Sequence, residues 1–180
     1  MEHNKFSKDF ILVVIGQIIS LFGNAVMRFA LPMHLLNVTG SAALLGVVSG
    51  LAFIPLAIMS PIGGLIADRV NKKNIMVCLD FFTAFLVTLF VLLYGEINIV
   101  TIILVMLFLL YGISGAYQPS VQSSIPLLVS EEKVMPANAA INMVSSLSGL
   151  LGPALGGMAY AAWGIMPVLY VCIGCFIFSA

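Results

Sequence analysis

From Ser41 to Ala67 the chain carries no charged residue. Five polar or charged residues, Asp68, Arg69, Asn71, Lys72 and Lys73, then fall within six positions, before a second apolar run opens at Ile75. Crossing a bilayer takes about 20 apolar helical residues, so this is the pattern of a helix that leaves the hydrocarbon, turns and re-enters. Backbone polar groups in lipid must be satisfied within their own segment, which makes each such run a helix. Composition excludes the competing soluble core: 62% of residues are hydrophobic and 8% are charged, against about 25% charged in soluble domains. Net charge is zero, which gives no electrostatic footprint for nucleic acid. There is no P-loop, no G-x-S-x-G and no His cluster at metal-ligand spacing. No enzyme activity, cofactor or metal site is expected.

Read in order, the apolar runs give six spans, at about 10–32, 42–66, 75–94, 97–125, 136–162 and 165–180. The first runs past signal-peptide length without a small-x-small cleavage site, and Pro32 marks its far end. The sixth, at 1.5 Å per residue, reaches only about 24 Å and is expected to be cut or marginal. With the N-terminus inside, Lys5, Lys8, Arg69, Lys72, Lys73 and Lys133 are all cytoplasmic, while the outer connections hold no Lys or Arg. Arg28 alone lies within the membrane. Cys172 and Cys175 are spaced C-x-x-C inside an apolar run. A redox motif needs a soluble strand–helix setting, so they read as small lipid- or helix-facing residues.

The first span bears a polar stripe, Gln17, Ser20, Asn24 and Arg28, at steps of 3, 4 and 4, which keep to one helix face. The fourth bears Tyr111, Ser114, Gln118 and Gln122 at the same steps, each 94 positions after its counterpart, and Pro126 lies 94 after Pro32. Gly157 lies 93 after Gly64. Three spans per unit is odd, so the second unit is inverted relative to the first. The expected fold is all-α, with six transmembrane helices in two inverted three-helix repeats.

Gly64, Ala67, Asp68, Arg69, Lys72 and Lys73 match the G-x-x-A-D-R-x-G-[KR]-[KR] loop between the second and third helices of the major facilitator superfamily of transporters, with Asn71 in place of the last glycine. Asn71 is expected to accept the left-handed backbone that glycine supplies there. The resemblance covers essentially the whole chain and implies the amino-terminal half of a 12-helix transporter, residues 1–180. It also implies that Asp68 faces a helix N-terminus of the other half, where the dipole favours an acid, and that Gly64 permits close approach. In this superfamily the first and fourth helices line the pathway, which agrees with the two stripes. Gly149, Gly152, Pro153, Gly156 and Gly157 resemble the fifth-helix motif of exporter branches. The stretch Gln118-Pro119 to Ala137-Asn138-Ala139 resembles the macrolide-efflux and enterobactin-exporter branch, although the family's fourth-helix Arg is absent.

Two ionisable residues lie within spans. Asp80, about one and a half turns into the third, is expected to pair with Arg69 or Lys73 as a gating ion pair; the alternative is a proton-carrying carboxyl. Arg28 either snorkels to the outer interface or lines the central cavity and meets an anionic group. Ser145, Gly149, Gly152 and Gly156 form a small-residue face for close helix packing. The resulting expectation is an exporter of drug-like or siderophore-like small molecules, proton-coupled and working by alternating access in the bacterial cell membrane. A nutrient importer or a non-transporting truncated remnant are the alternatives. The expected partners are a small-molecule substrate, the bilayer, and a missing carboxy-terminal half or a second copy.

Overall fold

The structure, a computed structural model, describes residues 8–180, without the side chains of Lys8, Asp9 and Asp68. The expectations for Lys5, Lys8 and the Asp68 carboxylate therefore lie outside the described residues. Among the described residues seven helices follow one another: α1 Lys8–Thr39, α2 Ala42–Leu51, α3 Phe53–Arg69, α4 Lys72–Leu93, α5 Ile99–Leu128, α6 Glu131–Trp163 and α7 Ile165–Ser179. Five spans are long and apolar enough to cross a membrane, with α2 and α3 forming one of them. The α7 helix is apolar but shorter.

Several boundaries differ from the sequence expectation, each for a local reason. Pro32 does not end α1, which runs on to Thr39. The stop is Gly40, at φ +66, whose N–H bonds the carbonyl of Leu36 at 2.7 Å. The second span is broken at Ala52 because Pro55 has no N–H to offer the carbonyl of Leu51. The α6 helix begins a turn earlier than expected, with Glu131 and Glu132 in its first turn beside the positive end of the dipole. Asn71 is not left-handed; it caps α4 from φ −62, ψ 116, its side chain accepting from the Lys73 N–H at 3.1 Å.

The helices pack as two inverted triplets rather than in chain order. The α3 helix lies mainly on α5, and α6 lies on α1. Likewise α4 packs on α5, and α7 packs on α1. Exchanging the first triplet for the second maps each contact onto the other. The closest approaches fix the register. A Cβ at Gly63 would lie 2.4 Å from Ala116 Cα, and one at Gly115 would lie 2.8 Å from the Leu56 carbonyl oxygen. On the other side, a Cβ at Gly152 would lie 2.3 Å from Ala25 Cβ, and one at Gly156 would lie 3.1 Å from Val26 Cα. Ala116 stands 90 positions after Val26, and Gly156 stands 93 after Gly63. The packing register of the pathway helices is thus 90, one helical turn short of the 94 in the polar stripes. A shift of four residues preserves the face, so the stripes lie on the right side of each helix but pair one turn out of step.

Among the described residues, the close approach is made by Gly63 rather than Gly64, which has nothing within 4 Å of a built Cβ. Gly149 is equally open, so the fifth-helix motif divides: Gly152, Gly156 and Gly157 pack against α1, and Gly149 does not. The apolar core fills the space between α1, α4, α5 and α7, around Leu31, Val87, Leu107, Leu110, Leu169 and Phe176. Cys172 and Cys175 both face α1 at Gly23.

Gly63→Val and Gly152→Val are each expected to lower stability by roughly 1–3 kcal/mol through overpacking. Gly174→Val, where a side chain meets open space, should stay within about 0.5 kcal/mol. Thermal unfolding in detergent reads the difference.

Candidate functional site

Among the described residues, α1 and α5 border two cavities. The one near mid-helix has a volume of about 470 Å³ and is bordered by Asn24 and Arg28 of α1 and by Tyr111, Ser114 and Gln118 of α5. Five of the eight stripe residues meet there. Its walls obey the packing register. Leu21 and Tyr111, Asn24 and Ser114, and Arg28 and Gln118 are pairs separated by 90, and Leu56 and Gly149 are separated by 93. Eight of the thirteen wall residues thus come in repeat-related pairs, which sets the cavity between the two three-helix units.

Arg28 lies on the wall of this cavity. Its guanidinium lies 4.1 Å from the centre of the Tyr111 ring. It donates to the Ser114 hydroxyl and, at 3.4 Å, to the carbonyl of Leu110. All of these partners are neutral. Asn24 donates to the Ser20 carbonyl at 3.0 Å and leaves its own side-chain oxygen unpaired. Ser145 and Ser148 of α6 complete the wall with buried hydroxyls that have no partner. Ser145 thus belongs to the site as well as to the small-residue face. Ser148, Leu21, Phe29 and Leu56 carry no polar-stripe signal in the sequence; the register of 90 reaches Leu21, and helix packing alone brings the other three to the wall.

The other three stripe residues lie elsewhere. Gln122 is exposed. Gln17 and Ser20 are buried, each 1% exposed, and point toward the end of the bundle that carries Arg69, Lys72 and Lys73. There a second cavity, of about 870 Å³, is bordered by those three cations and by Gln17, Asp80 and Tyr117. Both polar atoms of the Gln17 amide are unpaired.

The ion pair expected for Asp80 is not formed. Its carboxylate is 3% exposed and accepts from the hydroxyls of Ser20, at 2.7 Å, and Ser179, at 2.8 Å. The helix turn that carries Asp80 faces α1 and α7 rather than the loop, so the two serines reach it first. Ser179 also lies 2.8 Å from the Gly16 carbonyl. Asp80 therefore clasps α1, α4 and α7 together, with Arg69 and Lys73 across the cavity. At the opposite end a second polar clasp went unforeseen. The His34 ring nitrogens lie 2.8 Å from the Tyr94 hydroxyl and 3.1 Å from that of Tyr160, and Asn37 donates to Tyr160 at 3.0 Å. Isolated tyrosines at span ends carry no sequence signal of such a cluster. Among the described residues no group of three or more His, Cys, Asp or Glu side chains is arranged to hold a metal.

The chain matches the Major Facilitator Superfamily over residues 13–180. It is 27% identical over 172 residues to macrolide efflux protein A of Streptococcus pyogenes, an alignment covering 94% of this chain and 42% of that protein. It is 28% identical over 134 residues to a macrolide efflux protein A of Enterococcus faecalis, covering 73% of this chain and 41% of the relative. It is also 28% identical over 170 residues to the putative multidrug resistance protein MdtD of Escherichia coli, covering 91% and 34%. The chain therefore spans less than half the length of these curated relatives. No solved structure matches.

If Asp80 is held by hydroxyls, Ser20→Ala is expected to lower stability by about 1.5–3 kcal/mol, the range for a hydrogen bond to a charged group. Arg69→Gln and Lys73→Gln should leave the unfolding midpoint nearly unchanged. The opposite ranking in detergent melts would restore the ion pair.

Proposed function

The chain belongs to the major facilitator superfamily, and from that premise we propose that it is the amino-terminal half of an exporter of amphipathic small molecules. In this reading a second six-helix half docks on the apolar outer faces of α3 and α6, and the two halves rock about a midplane site. The observation that carries the proposal is the 470 Å³ cavity between the two repeats, eight of whose thirteen wall residues are repeat counterparts of one another. Inverted repeats bind at their shared axis because that is the point which stays central while the flanks move. Export, rather than import, is supported by the efflux and multidrug names of the relatives.

Orientation in this proposal follows charge: Arg69, Lys72 and Lys73 lie at one end, which is cytoplasmic by the excess of basic residues in inner loops. Asp68 then lies at the cytoplasmic end of α3, where it latches onto a helix N-terminus of the other half. Coupling is to protons. Asp80 is the carboxyl positioned to carry them, being buried, held only by hydroxyls and open to the cytoplasmic cavity. A hydroxyl that donates to a carboxylate accepts equally well from a carboxylic acid, so Ser20 and Ser179 accommodate both states.

Everted membrane vesicles bearing the full-length protein test the reading. Energised vesicles are expected to accumulate a dye cargo above protein-free controls and to lose it when an uncoupler is added. Asp80→Asn should abolish gradient-driven accumulation yet preserve counterflow exchange, which needs no net proton movement. Asp68→Asn should slow turnover several-fold at unchanged cargo affinity, since a charge at a helix end contributes about 0.3–2 kcal/mol. Accumulation in right-side-out vesicles instead would indicate an importer. Accumulation in neither would end the transport proposal.

A further inference from the structure

The mid-helix cavity holds one full positive charge, with no acidic side chain beside it among the described residues. None of its wall residues is acidic. Among the described residues Arg28 is bonded only to the Ser114 hydroxyl and the Leu110 carbonyl, and it is stacked on Tyr111. Such partners orient a guanidinium but do not neutralise it, and an unmatched charge at membrane depth is expensive. The same cavity holds three buried donors without acceptors: the Arg28 Nε–H and the hydroxyls of Ser145 and Ser148 on the facing helix. Buried donors of this kind are normally paired. The unpaired atoms are of the type that an oxyanion satisfies, because a carboxylate or phosphate oxygen accepts from guanidinium and hydroxyl alike and forms stronger bonds than a neutral acceptor. The remaining wall, including Leu21, Phe29, Leu56 and Pro153, is apolar, and the volume of about 470 Å³ falls in the range of small-molecule pockets.

We infer that this cavity selects anionic amphiphiles: the oxyanion of the cargo sits between Arg28 and the Ser145 and Ser148 hydroxyls, and its apolar body lies along Leu21, Phe29 and Leu56. The unpaired Asn24 oxygen accepts an N–H or O–H placed next to the anionic group. A cationic cargo meets Arg28 as a like charge and finds no carboxylate on this wall. The inference deepens the transport reading by naming the charge class of its cargo, and Arg28 is the specificity-determining residue.

The test is equilibrium binding, which does not depend on transport. Dansylglycine and dansylcadaverine share a fluorophore and differ in carrying a carboxylate or an ammonium. Each is titrated against the purified full-length protein in lipid nanodiscs, with fluorescence enhancement over empty nanodiscs as the readout. Dansylglycine is expected to bind at least tenfold more tightly than dansylcadaverine. Arg28→Gln should weaken dansylglycine by roughly tenfold or more, as expected for a lost charge-assisted hydrogen bond, and Arg28→Lys should recover part of that loss. Dansylcadaverine binding should be unchanged or improved in Arg28→Gln, which also reports that the variant is folded. Equal binding of the two probes, or preference for dansylcadaverine, overturns the inference. So does dansylglycine binding that ignores Arg28→Gln, the result expected if an acid of another half already pairs with Arg28. If dansylglycine binds as described but is not moved across vesicle membranes, the transport reading fails and the binding site stands.

Discussion

Two pairs of helices approach so closely that one added carbon atom has no room. In lipid there is no hydrophobic drive to bring helices together, so their association rests on tight packing at small residues. Gly63 and Gly115 seat α3 on α5, and Gly152 and Gly156 seat α6 on α1. These two seams are the same contact repeated upside down. They align the polar faces of α1 and α5 across a common axis, and the mid-helix cavity is the space left where those faces meet.

Around that axis the polar residues divide by task. At the end with the basic residues, Asp80 gathers hydroxyls from α1 and α7. At the other end, His34 gathers the phenols of Tyr94 and Tyr160. Both clusters join α1 to its neighbours and are largely self-satisfied. Between them Arg28, Asn24, Ser145 and Ser148 are left with unpaired atoms. Unpaired atoms also occur on Gln17, beside the Asp80 cluster, but the mid-helix cavity gathers four such residues, one of them the cation Arg28.

Much of this was legible in the sequence. Span number and helix type follow from the apolar runs, and the inverted pairing was announced by the repeated stripe. Tyr111, Ser114, Gln118, Asn24 and Arg28 do share a cavity. The misplaced stripe residues have one cause: sequence periodicity gives the face of a helix but not its height. A register of 94 and a register of 90 put the same residues on the same side, one turn apart. That turn carries Gln17 and Ser20 away from the cavity, leaves Gln122 exposed and brings Leu21 opposite Tyr111. Height also decided Asp80, which the loop cations seemed near enough to pair and which serines on two other helices reach first. Local chemistry was missed where it depended on a single group, as with the absent N–H of Pro55 that breaks the second span.

The α3 helix packs on α5 across the chain order, as half of an inverted pair. Pro55 Cβ lies 3.6 Å from a Cβ built at Gly112, within the separation of about 3.5–4.5 Å that a disulfide needs. Pro55→Cys combined with Gly112→Cys, in the full-length protein with its native cysteines replaced by serine, is expected to form an intramolecular disulfide on mild oxidation in the membrane, detected by peptide mapping. Two free thiols after oxidation, both labelled by a lipid-soluble maleimide, would mean that these helices do not meet there and that the cavity between the two units is misplaced.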